Sequence, residues 1–218
     1  MIKPVVLRGY RFSVYNRIAR VALYEKGISY NTEEIDPFAE DVSERYLQRQ
    51  PFGRVPVLSH GTFDVYETAA IGRYVDSAFE GPRLVPLDIE SLTRLVQTVS
   101  IIDSYGYLPM VRQVFAHRVF RPAIGEESDD SEIEKGLAAS RTVLQALETL
   151  AAESHVLDKQ SFTLADCHLA PMIAYFVQAP EGKAALSDYA ALSDWWEWTS
   201  QRASVVETDP GLPRNHRA

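Results

Sequence analysis

A chain of 218 residues, 46% of them hydrophobic, is long enough for one large or two small globular domains and too apolar for a disordered or fibrous one. A formal net charge of -8 argues against a nucleic-acid surface, which needs clustered Lys and Arg, and speaks instead for solubility. The single cysteine, Cys167, excludes an internal disulfide, a thiolate metal cluster and CxxC redox chemistry, so a reactive sulfur must come mostly from outside.

Met1-Ile2-Lys3-Pro4-Val5-Val6-Leu7-Arg8 is too short for a signal peptide. No apolar run approaches the roughly 18 residues of a membrane span, so a cytoplasmic protein without a membrane partner is expected. Val5-Val6-Leu7 reads as a first strand, and Val14, Ile18, Val21 and Ala22 fall on one face of a helix that starts at Ser13 and stops at Gly27. A strand around 29–35 and an acidic, aromatic connection lead to Pro51-Phe52-Gly53-Arg54-Val55-Pro56-Val57-Leu58-Ser59. His60-Gly61 turns that run back through Thr62-Phe63-Asp64 as a hairpin. Glu67 to Ala78 carries Ile71, Tyr74, Val75 and Ala78 on one helical face, which gives the order β-α-β-α-β-β-α.

Gly81-Pro82 and Pro86 mark a linker, and the texture changes there to helix after helix. Leu92, Leu95, Val96, Val99 and Ile102 form one stripe of period near 3.6, and Leu137, Leu144, Leu147 and Ala151 another. Gly106 and Pro109 predict a kink in the first of these helices, since proline removes a backbone donor and collides with the preceding turn. Thr163 and Asp166 have the spacing of a capping box, and Leu164 to Phe176 is apolar nearly all round, as a central helix would be. The histidines (His60, His117, His155, His168, His216) have no i, i+4 pairing and no HExxH pattern, so no metal is expected.

Four segments together, Ser13 to Gly27, Pro51 to Leu58, Glu67-Thr68-Ala69-Ala70-Ile71 and Phe162-Thr163-Leu164-Ala165-Asp166, resemble the glutathione transferase superfamily in order and spacing. The resemblance spans nearly the whole chain. It implies a thioredoxin-like α/β domain over 1–81 that binds glutathione, an all-α bundle over 88–218, a cis Val55-Pro56 peptide, a homodimer and a bacterial source. It also implies a detoxifying transferase that activates glutathione, its co-substrate, for attack on a hydrophobic electrophile. An isomerase, dehalogenase or peroxidase on the same fold, or a binding module without turnover, are the alternatives it leaves open.

Ser13 lies 12 residues before Glu25 of the Glu25-Lys26-Gly27 turn, where the serine-type classes (phi-, zeta- and theta-like) resemble it in carrying their catalytic serine. A thiol of pKa near 8.5 becomes a thiolate at neutral pH only if something stabilises the anion, and a hydroxyl at a helix N-terminus suits that task. Simple helix capping is the alternative use of Ser13, and Tyr10 and Tyr15 are rival donors. For the rest of glutathione, the resemblance implies the main chain of Val55 beside Pro56, Glu67 for the γ-glutamyl ammonium, and Thr68 for the γ-glutamyl carboxylate. Capping of the third helix by Asp64 and Thr68 is the blander use. Arg54 can meet a carboxylate or lie solvated. The connection Phe38-Ala39-Glu40-Asp41 lacks the usual basic residue, for which Arg45 or Arg49 could substitute. For the acceptor, the resemblance points to Phe12, Tyr15, Tyr105, Tyr107, Met110 and Val114, with Phe115 and His117 behind them. An aromatic stripe can equally be core. Trp195, Trp196 and Trp198, in the last helix, and the Cys167-His168 pair read as packing residues.

Overall fold

The computed structural model describes residues 3–39 and 42–213; Met1, Ile2, Glu40, Asp41 and His216, considered above, lie outside them. The chain divides into two compact units, 1–84 and 85–218.

In the first unit, β1 (Val5–Gly9), α1 (Val14–Glu25), β2 (Asn31–Glu34), α2 (Glu44–Leu47), β3 (Val57–His60), β4 (Phe63–Tyr66) and α3 (Thr68–Ala78) follow in the expected order. The sheet runs β2-β1-β3-β4, with β1 parallel to β2 and the β1-β3 and β3-β4 pairs antiparallel. This is a thioredoxin-like α/β arrangement. The alternation of β1 turns Val5 and Leu7 inward, where Ala19 and Leu23 of α1, Leu58 of β3 and Ile71 and Val75 of α3 close over them. Burial of each large side chain contributes about 1.5–3 kcal/mol. All of Val14, Ile18, Val21 and Ala22 are buried, whereas Ala78, expected on the buried face of α3, is exposed. Gly27 and Gly61 hold the positive φ of 66° and 65° that their turns require.

Two buried charges tie α1 to α3. The Lys26 ammonium lies 3.5 Å from the Asp76 carboxylate, each 3% exposed, and donates to the carbonyls of Asp76 and Pro82. The Asp76 carboxylate also accepts from Leu84 N at 2.7 Å, so neither charge is left bare.

The second unit is all helix. Its α4 (Ile89–Ile101) passes without a break into a π-helical stretch, Ile102–Phe120, which runs on directly into a single α-helical turn, α5 (Arg121–Ala123). The expected kink at Gly106 and Pro109 is thus replaced by wider winding that begins before either residue. In that winding the lost proline donor is one local gap among i→i+5 bonds. Of the α4 stripe, Leu95, Val99 and Ile102 are buried, but Val96 is 55% exposed. Then come α6 (Asp130–Ala152), α7 (Leu164–Phe176), α8 (Pro180–Ser187), α9 (Ala190–Thr199) and α10 (Ala203–Glu207), so the tryptophan helix is not the last. A Cβ at Gly136 would sit 2.7 Å from Gln113 Cβ and 2.8 Å from the Pro109 carbonyl, which shows how closely α6 approaches the π-helical stretch. Every residue of α7 is buried. Its Thr163-Asp166 capping box is present, and Trp195 Nε1 donates to Asp166 at 2.7 Å. No helix among the described residues is long and apolar enough to cross a membrane.

Candidate functional site

The register of the sheet gathers most of the expected residues of the first unit. Arg8 pairs with Val57, and Val57 with Tyr66, so the chain just beyond Gly9, just before Val57 and just after Tyr66 emerges at one end of the sheet. Ser13 follows the first of these, Arg54, Val55 and Pro56 precede the second, and Glu67 and Thr68 follow the third.

Ser13 is the N-cap of α1, with extended φ and ψ of -69° and 126°, and its Oγ accepts from Asn16 N at 3.3 Å. No acceptor for its own hydroxyl proton is found among the described residues. The first turn of α1 carries no acidic side chain, so no carboxylate of its own offsets the positive end of the helix. The turn before Ser13 is bound by Ser13 N donating to Tyr10 O at 3.0 Å and by Arg11 N donating to Glu34 Oε1 at 2.7 Å. Tyr10 is half-buried against Phe12 and Phe38, edge to face. Burial first, then Asp36 and Glu34, push its phenol above the ordinary value, which makes it a weaker proton donor. Phe12 and Tyr15 are half-buried on the same segment.

The Val55-Pro56 peptide is cis, and Val55 lies just outside the ladder that begins at Val57. Arg54 is exposed, while its carbonyl accepts from the hydroxyl of buried Tyr46 at 2.6 Å. Burial, slightly offset by Arg8, pushes the Tyr46 phenol up to about 12, so it stays a donor at any working pH. Arg49 is ion-paired to Asp64, which also accepts from Ser59 Oγ. Arg49 is therefore committed to the hairpin, and Arg45, exposed on α2, is the substitute with no ion pair among the described residues. The same pairing corrects the expected capping of α3 by Asp64. The N-cap of α3 is Glu67, which makes no side-chain cap bond and is held at φ 64°, ψ 118°. A non-glycine residue there costs about 1–3 kcal/mol. Thr68 is the buried first residue of α3.

In the second unit, Tyr105 is 66% exposed and Tyr107 half-buried on the π-helical stretch. Met110 and Val114 are 1% and 0% exposed, and Val114 lies against Gly136 of α6. They offer no surface to an acceptor, which corrects the expectation for both. Phe115 is stacked on Tyr175 at 4.5 Å, and His117 Nδ1 accepts from Asp129 N. Among the described residues no three His, Cys, Asp or Glu side chains converge as a metal centre requires.

Asn16 escaped sequence reasoning. Its Nδ2 donates to Tyr10 O at 3.1 Å, and it is only 6% exposed. An amide three residues past an N-cap was the signal available, but its value depends on Gly9, against which it lies.

Two sequence-family models match the chain: glutathione S-transferase, N-terminal domain, over residues 7–83, and glutathione S-transferase, C-terminal domain, over 105–203. Glutathione S-transferase F10 of Arabidopsis thaliana is 32% identical over 193 residues, covering 87% of this chain and 89% of the relative. Glutathione S-transferase F9 of the same plant is 30% identical over 87% and 89%. Among solved structures, glutathione S-transferase III in apo form superposes with a TM-score of 0.83 at 26% identity over 96% of this chain and 97% of that one. Glutathione S-transferase I from mais, in complex with an atrazine glutathione conjugate, shares the fold with a TM-score of 0.80 at 23% identity, over 94% of this chain and 96% of that one.

Proposed function

The chain belongs to the glutathione S-transferase family, and on that premise we propose that it is a serine-type member in which Ser13 donates its hydroxyl proton to the thiolate of bound glutathione. The chain is a transferase with glutathione as co-substrate. The observation that carries the role of Ser13 is its hydrogen bonding: Oγ is occupied as an acceptor by Asn16 N, so its proton is the part left to give. A hydrogen bond to a charged group contributes about 1.5–3 kcal/mol and a helix end about 0.3–1. At about 1.4 kcal/mol per unit, the two together lower a thiol near 8.5 by roughly one to three units, enough to ionise it at neutral pH.

In the reaction the S–H proton passes to solvent and the sulfur lone pair forms an S–C bond to the electrophilic carbon. The leaving group departs with the electron pair of the bond it breaks. The main chain of Val55 beside Pro56 binds the cysteinyl portion as an added strand would. Glu67 pairs with the γ-glutamyl ammonium, and Thr68 binds the γ-glutamyl carboxylate through its hydroxyl and N–H. The left-handed backbone of Glu67 supports this, because strain of that kind persists at sites that use it. Arg54, with Arg45 as the alternative, meets the glycyl carboxylate. Phe12 and Tyr15 are the apolar contacts that the first unit offers a hydrophobic acceptor, and Tyr105 and Tyr107 those that the second unit offers. Residues 1–81 are the glutathione-binding domain and 88–218 the helical domain. A bacterial source, a cytoplasmic location and a homodimer through α3 and α4, checked by sedimentation, belong to the same reading; Ile89 and Val96 of α4 are 73% and 55% exposed.

Ser13→Ala tests the reading with a nitroaromatic acceptor. Most conjugation is lost while glutathione still binds. Unchanged conjugation moves the role to Tyr10 or Tyr15.

A further inference from the structure

The turn that delivers Ser13 is held in part by the Asn16 side chain. Tyr10 O accepts twice, from Ser13 N at 3.0 Å and from Asn16 Nδ2 at 3.1 Å. Asn16 N donates to Ser13 Oγ at 3.3 Å, so one residue grips both the start of the turn and the hydroxyl at its end. Because a carbonyl only accepts, the Tyr10 contact fixes which amide atom is Nδ2. Asn16 Oδ1 therefore faces Gly9. It is buried with no hydrogen-bond partner among the described residues. A Cβ at residue 9 would lie 2.4 Å from it, so Asn16 occupies this place only because Gly9 has no side chain.

For stability this is a poor arrangement. A buried acceptor without a donor costs free energy, and Tyr10 O would keep a donor, Ser13 N, without Asn16. What the amide contributes is orientation. The main-chain N–H of Asn16 already occupies Oγ as an acceptor, the side-chain amide clamps the Tyr10–Ser13 turn to α1, and the hydroxyl proton has no acceptor among the described residues. A donor whose oxygen already accepts a hydrogen bond is also the stronger donor.

We propose that Asn16 is a positioning residue for Ser13: it clamps the Tyr10–Ser13 turn to the first turn of α1 and so fixes the direction in which the Ser13 hydroxyl donates. The proposal rests on the reading of Ser13 as the thiolate's donor.

The experiment titrates the thiolate absorbance of glutathione bound to the full chain, together with the pH profile of kcat/KM for a nitroaromatic acceptor. Wild type, Asn16→Leu, Gly9→Ala, Ser13→Ala and the Asn16→Leu/Ser13→Ala double variant are compared. Asn16→Leu is expected to raise the titration midpoint by about one unit, a tenfold loss of thiolate below it. The glutathione KM and the melting temperature should stay near those of the wild type. Gly9→Ala displaces the Asn16 amide from the other side and should raise the midpoint in the same direction, which keeps the proposal testable if Asn16→Leu does not fold. The double variant should titrate like Ser13→Ala alone. A midpoint unmoved by Asn16→Leu, or by Gly9→Ala, but moved by Ser13→Ala overturns the role of Asn16 and leaves that of Ser13 standing. A midpoint unmoved by Ser13→Ala overturns both. An Asn16→Leu shift that persists in full on the Ser13→Ala background, or a fall in melting temperature with no change of pH profile, also overturns the proposal.

Discussion

Ser13 at the head of α1 and Thr163 at the head of α7 carry the same local device, a hydroxyl that accepts from a backbone N–H of the first turn, Asn16 N at 3.3 Å and Ala165 N at 3.2 Å. The difference lies in the proton. Thr163 gives its own to Asp166 Oδ2 at 2.8 Å, and the same buried carboxylate takes Thr163 N and, from α9, Trp195 Nε1. Ser13 has an amide instead of a carboxylate three residues on and is only half-buried, and among the described residues nothing accepts its proton. A capping hydroxyl is thus consumed as structure where an acid stands at the third position, and left for chemistry where an amide does.

The largest effect should come from breaking the buried cap. Asp166→Ala leaves Thr163 N–H, Thr163 Oγ–H and Trp195 Nε1–H without their acceptor, at about 1–3 kcal/mol for each buried group. A loss of at least about 3 kcal/mol in urea unfolding is expected, with no change in the thiol midpoint of the protein that remains folded. A loss below about 1 kcal/mol would reduce Thr163 to an ordinary surface cap. Ser13→Ala is the opposite case: about 1 kcal/mol of stability for the cap, but on the order of a hundredfold in kcat/KM for the lost donor. If its stability loss matched that of Asp166→Ala while turnover held, the contrast between the two caps would vanish.

Acid titration separates the helices further. Burial in α7 pulls His168 down to about 4, with the Leu164 carbonyl partly opposing. An unfolded histidine takes its proton near 6.5, so between pH 6.5 and 4 only the unfolded chain is protonated there, and stability falls as pH falls. Asp166 works in the other direction. Burial, against the Trp195 and Thr163 hydrogen bonds, raises it to about 6, so from pH 6 to 3.8 the native state takes the proton first and gains stability. His168→Gln removes the destabilising limb. From pH 7 to pH 5 the variant should lose less stability than the wild type, by up to about 1.4 kcal/mol per pH unit. Parallel pH curves would place the acid sensitivity elsewhere.

What the sequence disclosed follows the range of the interactions involved. The apolar face of α1, the β3-β4 hairpin and the Thr163-Asp166 box were legible because each depends on residues a few positions apart. The π-helical winding of Ile102–Phe120 was not, since a period near 3.6 was assumed and Pro109 marks only one missing donor. The pairing of Asp64 with Arg49 and Ser59 is set by the register of the hairpin, so from sequence alone Asp64 passed for a cap. Val55, Glu67 and Thr68 were placed with Ser13 by resemblance, and the register of three strands supplies the physical reason they share one end of the sheet. Met110 and Val114 were misjudged because periodicity names a helix face without saying whether another helix covers it. Asn16 was out of reach for the same reason: its role depends on the bare backbone of Gly9 on a neighbouring strand.

The approaches to the two caps differ as well. Residues 9–13 contain no positive φ, whereas the loop into Thr163 holds three non-glycine residues in the left-handed region: Ser154 at 60°, Leu157 at 58° and Lys159 at 63°. Leu157 is buried, so its strain is tied to packing. The Lys159 side chain is exposed, and its ion pair with Asp194 is one of the surface kind that contributes about 0–1 kcal/mol. A left-handed non-glycine residue costs about 1–2 kcal/mol, while glycine gives back about 0.5–1 through the greater freedom of the unfolded chain. Lys159→Gly should therefore stabilise the protein by at most about 1 kcal/mol, a rise of roughly 2–4 °C in melting temperature for a chain of this size. Asp194→Asn, which removes the ion pair and leaves the backbone alone, is the control. A Lys159→Gly protein that melts lower, and by more than Asp194→Asn does, would mean that the lysine itself holds the loop in place, and that the entry to α7 is shaped by side-chain contacts more than by backbone strain.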